Sequence, residues 1–474
     1  MADQRALRGP VLFYAAHLVL SPSRCRANKF DPGDIVNNDP RQTLADAPMS
    51  VLQIIAVAIT IGLNALDGFD VMAISFASPG IATEWGIDRG ALGFVLSAEL
   101  AGMAVGSLIL GSLADRIGRR PTVLGCVTVM AIGMYMASTA HDVYTLSLWR
   151  VFTGLGIGGV LAAINAVAAE YSNAKNRNLN VSLMSVGYPL GAVFGGMVAT
   201  QLLKGGDWRP VFHFGAMVTA AFLPIVWFFV PESVSWLATK QPAGALERIN
   251  ASLKRMGHAA ISALPVIELD ASGRKTSSDT IFSPAMIRTT LLVGAAYFCH
   301  ITTFYYIIKW VPKIVVDMGF SPSAAGGVLV WANVGGAIGG AVVGFLASRL
   351  NLRLVTVAVL VGSTIMVNVF GRGYSDLTTL SIVCACAGFF TNGAINGLYA
   401  IFAQVFPSHM RASGTGFAIG VGRGGSVLAP IIAGLLFKAG VTLTMVSLML
   451  SFGAVIAAGI IMLLVMPKQG EVKY

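Results

Sequence analysis

Residues 111–120, Gly-Ser-Leu-Ala-Asp-Arg-Ile-Gly-Arg-Arg, are the stretch that decides how this chain folds. A similar stretch, Gly-Phe-Leu-Ala-Ser-Arg-Leu-Asn-Leu-Arg, occupies residues 344–353, which is an offset of 233 residues. Two further pairs share an offset of 234 residues, namely Gly154 with Gly388 and Arg177 with Arg411. Because all three pairs repeat at nearly one offset, we interpret the chain as two parallel halves of similar structure.

The composition of the chain excludes a water-soluble fold. Of the 474 residues, 55% are hydrophobic and only 11% are charged, whereas charged residues make up about 25% of a typical soluble domain. So few charged side chains cannot cover the wet surface of a protein of this length, and so apolar a chain does not stay disordered in water. The composition therefore predicts an integral membrane protein.

Twelve apolar segments are long enough to cross a membrane, which takes a helix of about 20 residues. Six lie on each side of a polar stretch, residues 232–287. The predicted spans, numbered 1 to 12, are 51–78, 90–113, 121–139, 143–170, 179–203, 210–230, 288–313, 323–347, 353–371, 376–403, 412–437 and 441–466. The sequence thus predicts an all-α integral membrane protein with two six-helix halves, 49–231 and 288–467. In proteins built from such repeats the substrate site lies between the halves.

The distribution of Lys and Arg predicts the orientation of the spans, because loops that stay in the cytoplasm are enriched in these residues. With both termini and the 232–287 loop in the cytoplasm, the loops and C-terminal tail on that side hold 17 of the 32 Lys and Arg residues, and the opposite side holds 6. We therefore expect a multi-pass protein of the inner (plasma) membrane with both termini in the cytoplasm.

Three polar segments lie outside the predicted halves. Residues 1–48 contain an apolar run that is too short to span a membrane, and we expect a disordered tail there. Residues 468–474 form a second, short tail. In the cytoplasmic loop 232–287, apolar residues at helical spacing from Ala243 to Met256 predict an amphipathic helix, which lies either on the inner membrane surface or in water.

Several motifs resemble those of a known family. The stretch 111–120 matches every position of the loop signature of the major facilitator superfamily, and Pro231-Glu232-Ser233 resembles the end of that family's first half. The motif Asp67-Gly68-Phe69-Asp70 in span 1 is similar to that of the aromatic acid:proton symporter family, as are residues 397–400 and 406–414. The resemblance covers about residues 49–467. Glu99 and Lys309 depart from the family's pattern.

This resemblance implies the major facilitator fold and an importer that carries small aromatic carboxylates together with protons by alternating access. One alternative is a major facilitator importer of another organic anion, such as a shikimate-like or an aliphatic acid. A second alternative, from a different class, is a transporter-like receptor that does not transport. The D-G-F-D motif favours uptake over drug export.

Three acidic side chains are candidates for proton coupling. Asp67 and Asp70 are three residues apart and therefore share one face of span 1. Two close, partly buried carboxylates resist simultaneous ionisation, so we expect the pair to bind a proton; a structural pair capped by neighbouring amides is the alternative. Glu170, at the end of span 4, is interpreted either as a coupling or gating residue or as part of an interfacial salt bridge.

Cationic and aromatic side chains are the candidates for substrate binding. Arg423 is flanked by glycines, and its planar guanidinium can bind a carboxylate with two hydrogen bonds. Arg150 is expected either to contact the substrate or to have a structural role, in which its side chain ties helix ends together. Lys309 either faces the cavity or extends to the outer membrane surface. The aromatic and amide groups that suit a planar ring with a carboxylate are Tyr305, Tyr399, Asn392 and Asn396.

The charges of the 111–120 turn are candidates for gating. Asp115, surrounded by Arg116, Arg119 and Arg120, predicts a cytoplasmic charge lock between helices that is closed when the site faces outward. Ser348 occupies the matching position in the second repeat, so the lock depends on the first copy.

The sequence carries no signature of an enzyme. A Walker A loop, an H-E-x-x-H motif and a G-x-S-x-G motif are all missing from it, so ATP-driven transport and catalysis are not expected. We also expect no metal and no cofactor. The expected partners are a small aromatic carboxylate, protons and the lipid bilayer, with no nucleic acid and with the monomer as the functional unit.

Overall fold

The computed structural model describes residues 39–265, 281–407 and 410–464. Within these residues, twelve helices are long and apolar enough to cross a membrane, as predicted. In the order of the spans, they are Val51–Trp85, Arg89–Ile117, Arg119–Ser138, Val143–Glu170, Arg177–Leu202, Arg209–Phe229, Ile287–Asp317, Pro322–Arg349, Leu352–Phe370, Leu377–Val405, Arg411–Lys438 and Leu443–Leu463.

The helix boundaries follow from capping residues. Span 1 starts at a capping box, in which Ser50 Oγ accepts from the backbone N–H of Gln53 at 3.3 Å and the Gln53 side chain accepts from the N–H of Ser50 at 2.8 Å. The helix stops at Gly86, whose φ of 59° is left-handed. Gly118, with φ of 110°, separates spans 2 and 3. We call the two ends of the bundle the Gly86 end and the Gly118 end.

The two halves repeat the same close helix packing. In the first half, a Cβ atom at Gly154 of span 4 would overlap the carbonyl oxygen of Glu99 in span 2. In the second half, a Cβ at Gly388 of span 10 would overlap the carbonyl oxygen of Ala332 in span 8. Glycine lets the two backbones touch at both places. The repeat at an offset of 234 residues in the sequence is therefore also a repeat of helix packing.

The halves meet most closely at the Gly86 end. A Cβ at Gly93 of span 2 would lie 2.6 Å from the carbonyl oxygen of Pro430 in span 11. Two ion pairs cross between the halves at this end, Arg89 with Asp317 at 2.9 Å and Asp88 with Lys438 at 2.9 Å. The bundle is therefore closed at the Gly86 end.

The expectation of a disordered tail over residues 1–48 is wrong for its last part. A helix, Pro40–Asp46, begins after Asp39, whose side chain accepts from the N–H of Arg41. Leu44 of this helix is buried, and the carbonyl oxygen of Ala45 accepts from the N–H of Ala174 at 2.9 Å. Burial and this backbone bond hold the segment on the Gly118 end. Residues 1–38 and 468–474 lie outside the described residues.

The amphipathic helix predicted in the central loop forms. It spans Ala245–Arg255 and follows a shorter helix, Val234–Lys240. Its apolar residues Ile249 and Leu253 are fully buried by the protein itself. The helix therefore packs against the helix Val234–Lys240, and Arg255 donates to the carbonyl oxygen of Phe228 at the end of span 6 at 2.6 Å.

Candidate functional site

A cavity of about 760 Å³ lies between the two halves. Side chains that line it toward the Gly118 end, such as Asn165 and Ser182, are exposed, whereas the Gly86 end is closed. The cavity therefore opens at the Gly118 end. Its polar lining groups are Asn64, Asp67, Asn165, Ser182, Ser185, Tyr188, Tyr297, Tyr305, Asn333, Asn392, Asn396, Tyr399, Arg423 and Ser426.

Asp67 and Arg423 are the charged groups in the cavity lining of the described residues. Asp67 belongs to span 1 of the first half, and Arg423 belongs to span 11 of the second half. They are close enough to interact electrostatically across the cavity. One oxygen of the Asp67 carboxyl is buried without a hydrogen bond in the described part of the chain.

The guanidinium of Arg423 has no hydrogen bond or ion pair with any residue in the described ranges. Its neighbouring glycines serve helix packing, because a Cβ at Gly422 would overlap the ring of Tyr297 and one at Gly425 would lie 2.6 Å from the carbonyl oxygen of Phe298. These contacts pack span 11 directly against span 7, and Arg423 lines the cavity. An unpaired planar cation in such a position can bind a carboxylate.

Aromatic and amide side chains line the same cavity as Arg423. The hydroxyl groups of Tyr297 and Tyr399 are hydrogen-bonded at 2.9 Å, and their rings are tilted with centroids 5.7 Å apart. Tyr305 is close enough to Arg423 for an electrostatic interaction. Asn392 and Asn396 lie one turn apart on the same wall. This arrangement offers ring faces, hydroxyl groups and amides to a flat ligand.

Arg150 and Lys309 do not line this cavity, which corrects the expectation that they contact the substrate from it. Both side chains are fully buried on the Gly86 side of the cavity, where both form ion pairs with Glu99. Lys309 neither faces the cavity nor extends to the membrane surface, because Glu99 and the carbonyl oxygen of Val71 hold its ammonium.

Asp70 also lies behind the cavity wall. Its carboxyl is fully buried, and neither oxygen has a hydrogen-bond partner among the described residues. Its backbone carbonyl accepts from Arg150 Nη2 at 2.8 Å. Of the two acids in the D-G-F-D motif, Asp67 therefore faces the cavity, and Asp70 is buried within electrostatic reach of Arg150.

Glu99 is the residue whose place in this site the sequence analysis missed. It had been noted only as a departure from the family's pattern. Two buried bases in spans 4 and 7 require an acidic partner within the membrane, and Glu99 is the acid in span 2. Charge balance was the signal that could have identified it.

The candidate gating residues have partners within the first half. Arg119 lies 3.0 Å from Glu170 and 2.6 Å from Asp115, so Glu170 forms a salt bridge in this conformation. Arg120 stacks on the ring of Trp227 and donates to its carbonyl oxygen at 2.6 Å. Arg116 is exposed at the Gly118 end. No ion pair joins these residues to the described part of the second half.

Glu232 anchors the turn that holds these charges. Its Oε1 accepts from the backbone N–H of Arg119 at 2.8 Å and of Ser233 at 2.9 Å. Burial raises the pKa of the Glu232 carboxyl above the usual glutamate value, and the backbone donors oppose this shift. The Pro231-Glu232-Ser233 motif thus ties the end of span 6 to the start of span 3.

No group of acidic, histidine or cysteine residues that could hold a metal ion occurs in the described residues.

A model of the Major Facilitator Superfamily matches residues 60–307 and 293–473. A gallate transporter of Pseudomonas putida is 29% identical over 423 residues, which are 89% of this chain and 93% of the relative. A 4-hydroxybenzoate transporter of Acinetobacter baylyi is 28% identical over 427 residues, 89% of this chain and 93% of the relative.

The fold is similar to that of the xylose transporter XylE from E. coli in its inward-open conformation. The TM-score is 0.68 at 15% sequence identity, over 88% of this chain and 97% of the other. These matches confirm the resemblance inferred from the sequence motifs.

Proposed function

The chain belongs to the major facilitator superfamily, and from this membership we propose that it imports small aromatic carboxylates together with protons. As a member of that family it is a multi-pass membrane transporter and not an enzyme. Its relatives named for gallate and for 4-hydroxybenzoate support a planar, hydroxylated aromatic acid as the substrate class.

The observation that carries the proposal is the unpaired guanidinium of Arg423 in an aromatic cavity between the halves. The substrate carboxylate binds Arg423, and its ring packs among Tyr297, Tyr305 and Tyr399. Asn392 and Asn396 on the same wall bind ring hydroxyl groups. An apolar lining with a few fixed polar groups is typical of sites for such ligands.

The coupling of substrate to proton follows from Asp67. A bound carboxylate at Arg423 brings a second negative charge close to Asp67, so protonation of Asp67 removes a repulsion and favours binding. By reciprocity, the substrate increases proton binding to the same degree. Asp70, one turn along span 1, is the second carboxyl of the coupling pair.

The Gly118 end is assigned to the cytoplasm, in keeping with the distribution of Lys and Arg. In this orientation the cavity is open to the cytoplasm and closed to the outside. When the transporter turns outward, Asp115, Arg116, Arg119 and Arg120 meet the second half and close the cytoplasmic end. Glu170 acts in this gating through Arg119.

Uptake by the purified protein in liposomes tests the proposal. An inward proton gradient should drive accumulation of labelled benzoate, 4-hydroxybenzoate or gallate, and a proton uncoupler should abolish it. Shikimate and an aliphatic acid serve as comparison substrates. Accumulation of shikimate or the aliphatic acid in preference to every aromatic acid, or accumulation that persists with the uncoupler, would contradict the proposal.

A further inference from the structure

Four charged side chains form a closed cluster behind the cavity, on the Gly86 side. All of them are fully buried, and they come from spans 1, 2, 4 and 7: Asp70, Glu99, Arg150 and Lys309. Two acids face two bases, so the cluster is neutral when all four are charged. Three of its members belong to the first half, and Lys309 alone belongs to the second.

Arg150 and Lys309 differ in whether their partners lie in their own half of the protein or in the other half. Arg150 pairs with Glu99, donates to the carbonyl oxygen of Asp70 at 2.8 Å, and lies 5.3 Å from the ring centroid of Phe212. All of these partners lie in the first half. Lys309 Nζ lies 3.7 Å from Glu99 Oε2 and donates to the carbonyl oxygen of Val71. Each contact of the Lys309 ammonium therefore crosses between the halves.

Further titratable groups act on this cluster from the surrounding spans. Asp67 of span 1 interacts electrostatically with both Asp70 and Glu99. Arg423 of span 11 acts on Asp67 from the second half. Two tyrosines, Tyr188 of span 5 and Tyr305 of span 7, also lie within electrostatic reach of Glu99. Arg423 is the cation among these groups, and it acts on Asp67 rather than on Glu99.

We propose that Lys309 is the cation that expels the transported proton, by replacing it beside Glu99 each time the Gly86 end closes. The inference rests on the proposed proton-coupled function. When the Gly86 end opens, Lys309 moves away with the second half and leaves two buried carboxylates with one guanidinium. A proton from outside then forms an O–H bond with one of these carboxylates, because an uncompensated buried charge is costly.

Closure of the Gly86 end reverses this step. The ammonium of Lys309 returns to Glu99, the O–H bond breaks, and the proton passes to Asp67 and on to water in the cavity. Lys309 keeps its own charge throughout, and no other reactant is needed. One proton therefore enters for each return of Lys309.

The proposal predicts a split between two transport modes. Exchange of labelled for unlabelled substrate needs no release of the proton, whereas net accumulation does. Without the ammonium the proton stays on the cluster when the site faces inward. Lys309→Gln should therefore lower gradient-driven accumulation of 4-hydroxybenzoate by about tenfold or more, while exchange keeps at least about a third of its rate.

The experiment compares both modes in liposomes that contain the full-length protein. Lys309→Arg keeps a cation and should restore accumulation to within about threefold of the wild type. Lys204→Gln, on the turn after span 5 at the Gly86 end, is the control, because the Lys204 side chain is exposed; it should leave both modes unchanged. A pH-sensitive dye inside the liposomes reports the proton that enters with the substrate.

Several outcomes overturn the proposal. Full accumulation by Lys309→Gln does so, and so does equal loss of both modes in Lys309→Gln and Lys309→Arg, since that indicates a packing role. If Lys309→Gln does not assemble, Glu99→Gln/Lys309→Gln decides, because it leaves Asp70 and Arg150 balanced in every conformation. Exchange without accumulation in the double variant supports the proposal, and any other result contradicts it. Failure of the wild type to accumulate aromatic acids would instead contradict the proposed function itself.

Discussion

Arg119 at the start of span 3 lies 3.0 Å from Glu170 at the end of span 4, and it lies 2.6 Å from Asp115 one turn before it. The two acids differ in exposure, because the Glu170 side chain is 16% exposed and that of Asp115 is 69% exposed. Water screens the second pair far more than the first. The shorter of the two ion pairs is therefore the weaker one.

This difference predicts unequal effects of two conservative substitutions. Glu170→Gln should lower the free energy of unfolding by about 1–2 kcal/mol, a value between those of exposed and buried pairs. Asp115→Asn, the matched control on the same arginine, should lower it by less than about 0.5 kcal/mol. Thermal unfolding of the two purified variants in detergent measures the difference. A larger loss in Asp115→Asn would show that the turn is held by another contact.

The two acids of span 1 should both be required for uphill transport. Asp67→Asn removes the carboxyl that faces the cavity, and Asp70→Asn removes the buried carboxyl within electrostatic reach of Arg150. Each variant should accumulate substrate to less than about a tenth of the wild-type level, because neither carries a titratable group at its position. Asp376→Asn, at a helix N-terminus, serves as the control. Concentrative uptake by both variants would remove the pair from the coupling step.

Arg423 should be sensitive to a change of shape at constant charge. Arg423→Lys keeps the positive charge but loses the planar fork, so the apparent affinity for an aromatic carboxylate should fall by about tenfold. The exposed Arg372 offers a matched control, and Arg372→Lys should leave the affinity unchanged. The concentration dependence of initial uptake gives both values. An Arg423→Lys protein with wild-type affinity would assign Arg423 a structural role.

The ion pair between Arg89 and Asp317 should stabilise the inward-facing conformation. Asp317→Asn removes the charge that joins span 7 to span 2, so the population should shift toward the form that is open to the outside. Ser426→Cys in a cysteine-free background, labelled from outside by a membrane-impermeant thiol reagent, measures this shift. The labelling rate should rise in Asp317→Asn and stay constant in Asp376→Asn, whose carboxyl caps span 10 at the same end.

Two truncations should separate the helix Pro40–Asp46 from the residues before it. Deletion of 1–48 removes the burial of Leu44 and the bond from Ala174 to Ala45, whereas deletion of 1–38 keeps both. The shorter protein should be less stable than the longer one by about 2–4 kcal/mol. Thermal unfolding of the two truncated proteins tests this. Equal midpoints would mean that the helix contributes nothing to the fold.

The spans could be predicted from the sequence because apolar length is a local property. Their ends could not always be predicted, since tertiary contacts decide them. Span 1 was expected to end at residue 78, yet the helix continues to Trp85. Its last turns are held by Trp208, whose Nε1 donates to Glu84 at 2.7 Å and whose ring meets that of Trp85 edge to face. No local pattern in 79–85 reveals these contacts.

The candidate site also combines features that the sequence predicts with features that depend on tertiary contacts. Arg423, Tyr305 and Tyr399 were expected together, because their residue types suit one ligand, and they do share a cavity. The burial of Arg150 and Lys309 around Glu99 could not be predicted in the same way. It depends on how spans 2, 4 and 7 cross, which hydropathy does not report. Counting the charged residues within the predicted spans would have indicated that Arg150 and Lys309 pair with Glu99, but not how far these residues lie from the cavity.

The closure of the Gly86 end has a consequence for how the protein responds to salt. Both ion pairs between the halves at this end, Arg89 with Asp317 and Asp88 with Lys438, are partly exposed to solvent. Dissolved ions weaken such pairs, since the screening length falls from about 30 Å at 0.01 M salt to about 8 Å at 0.15 M. We therefore expect low salt to favour a closed Gly86 end and higher salt to favour its opening.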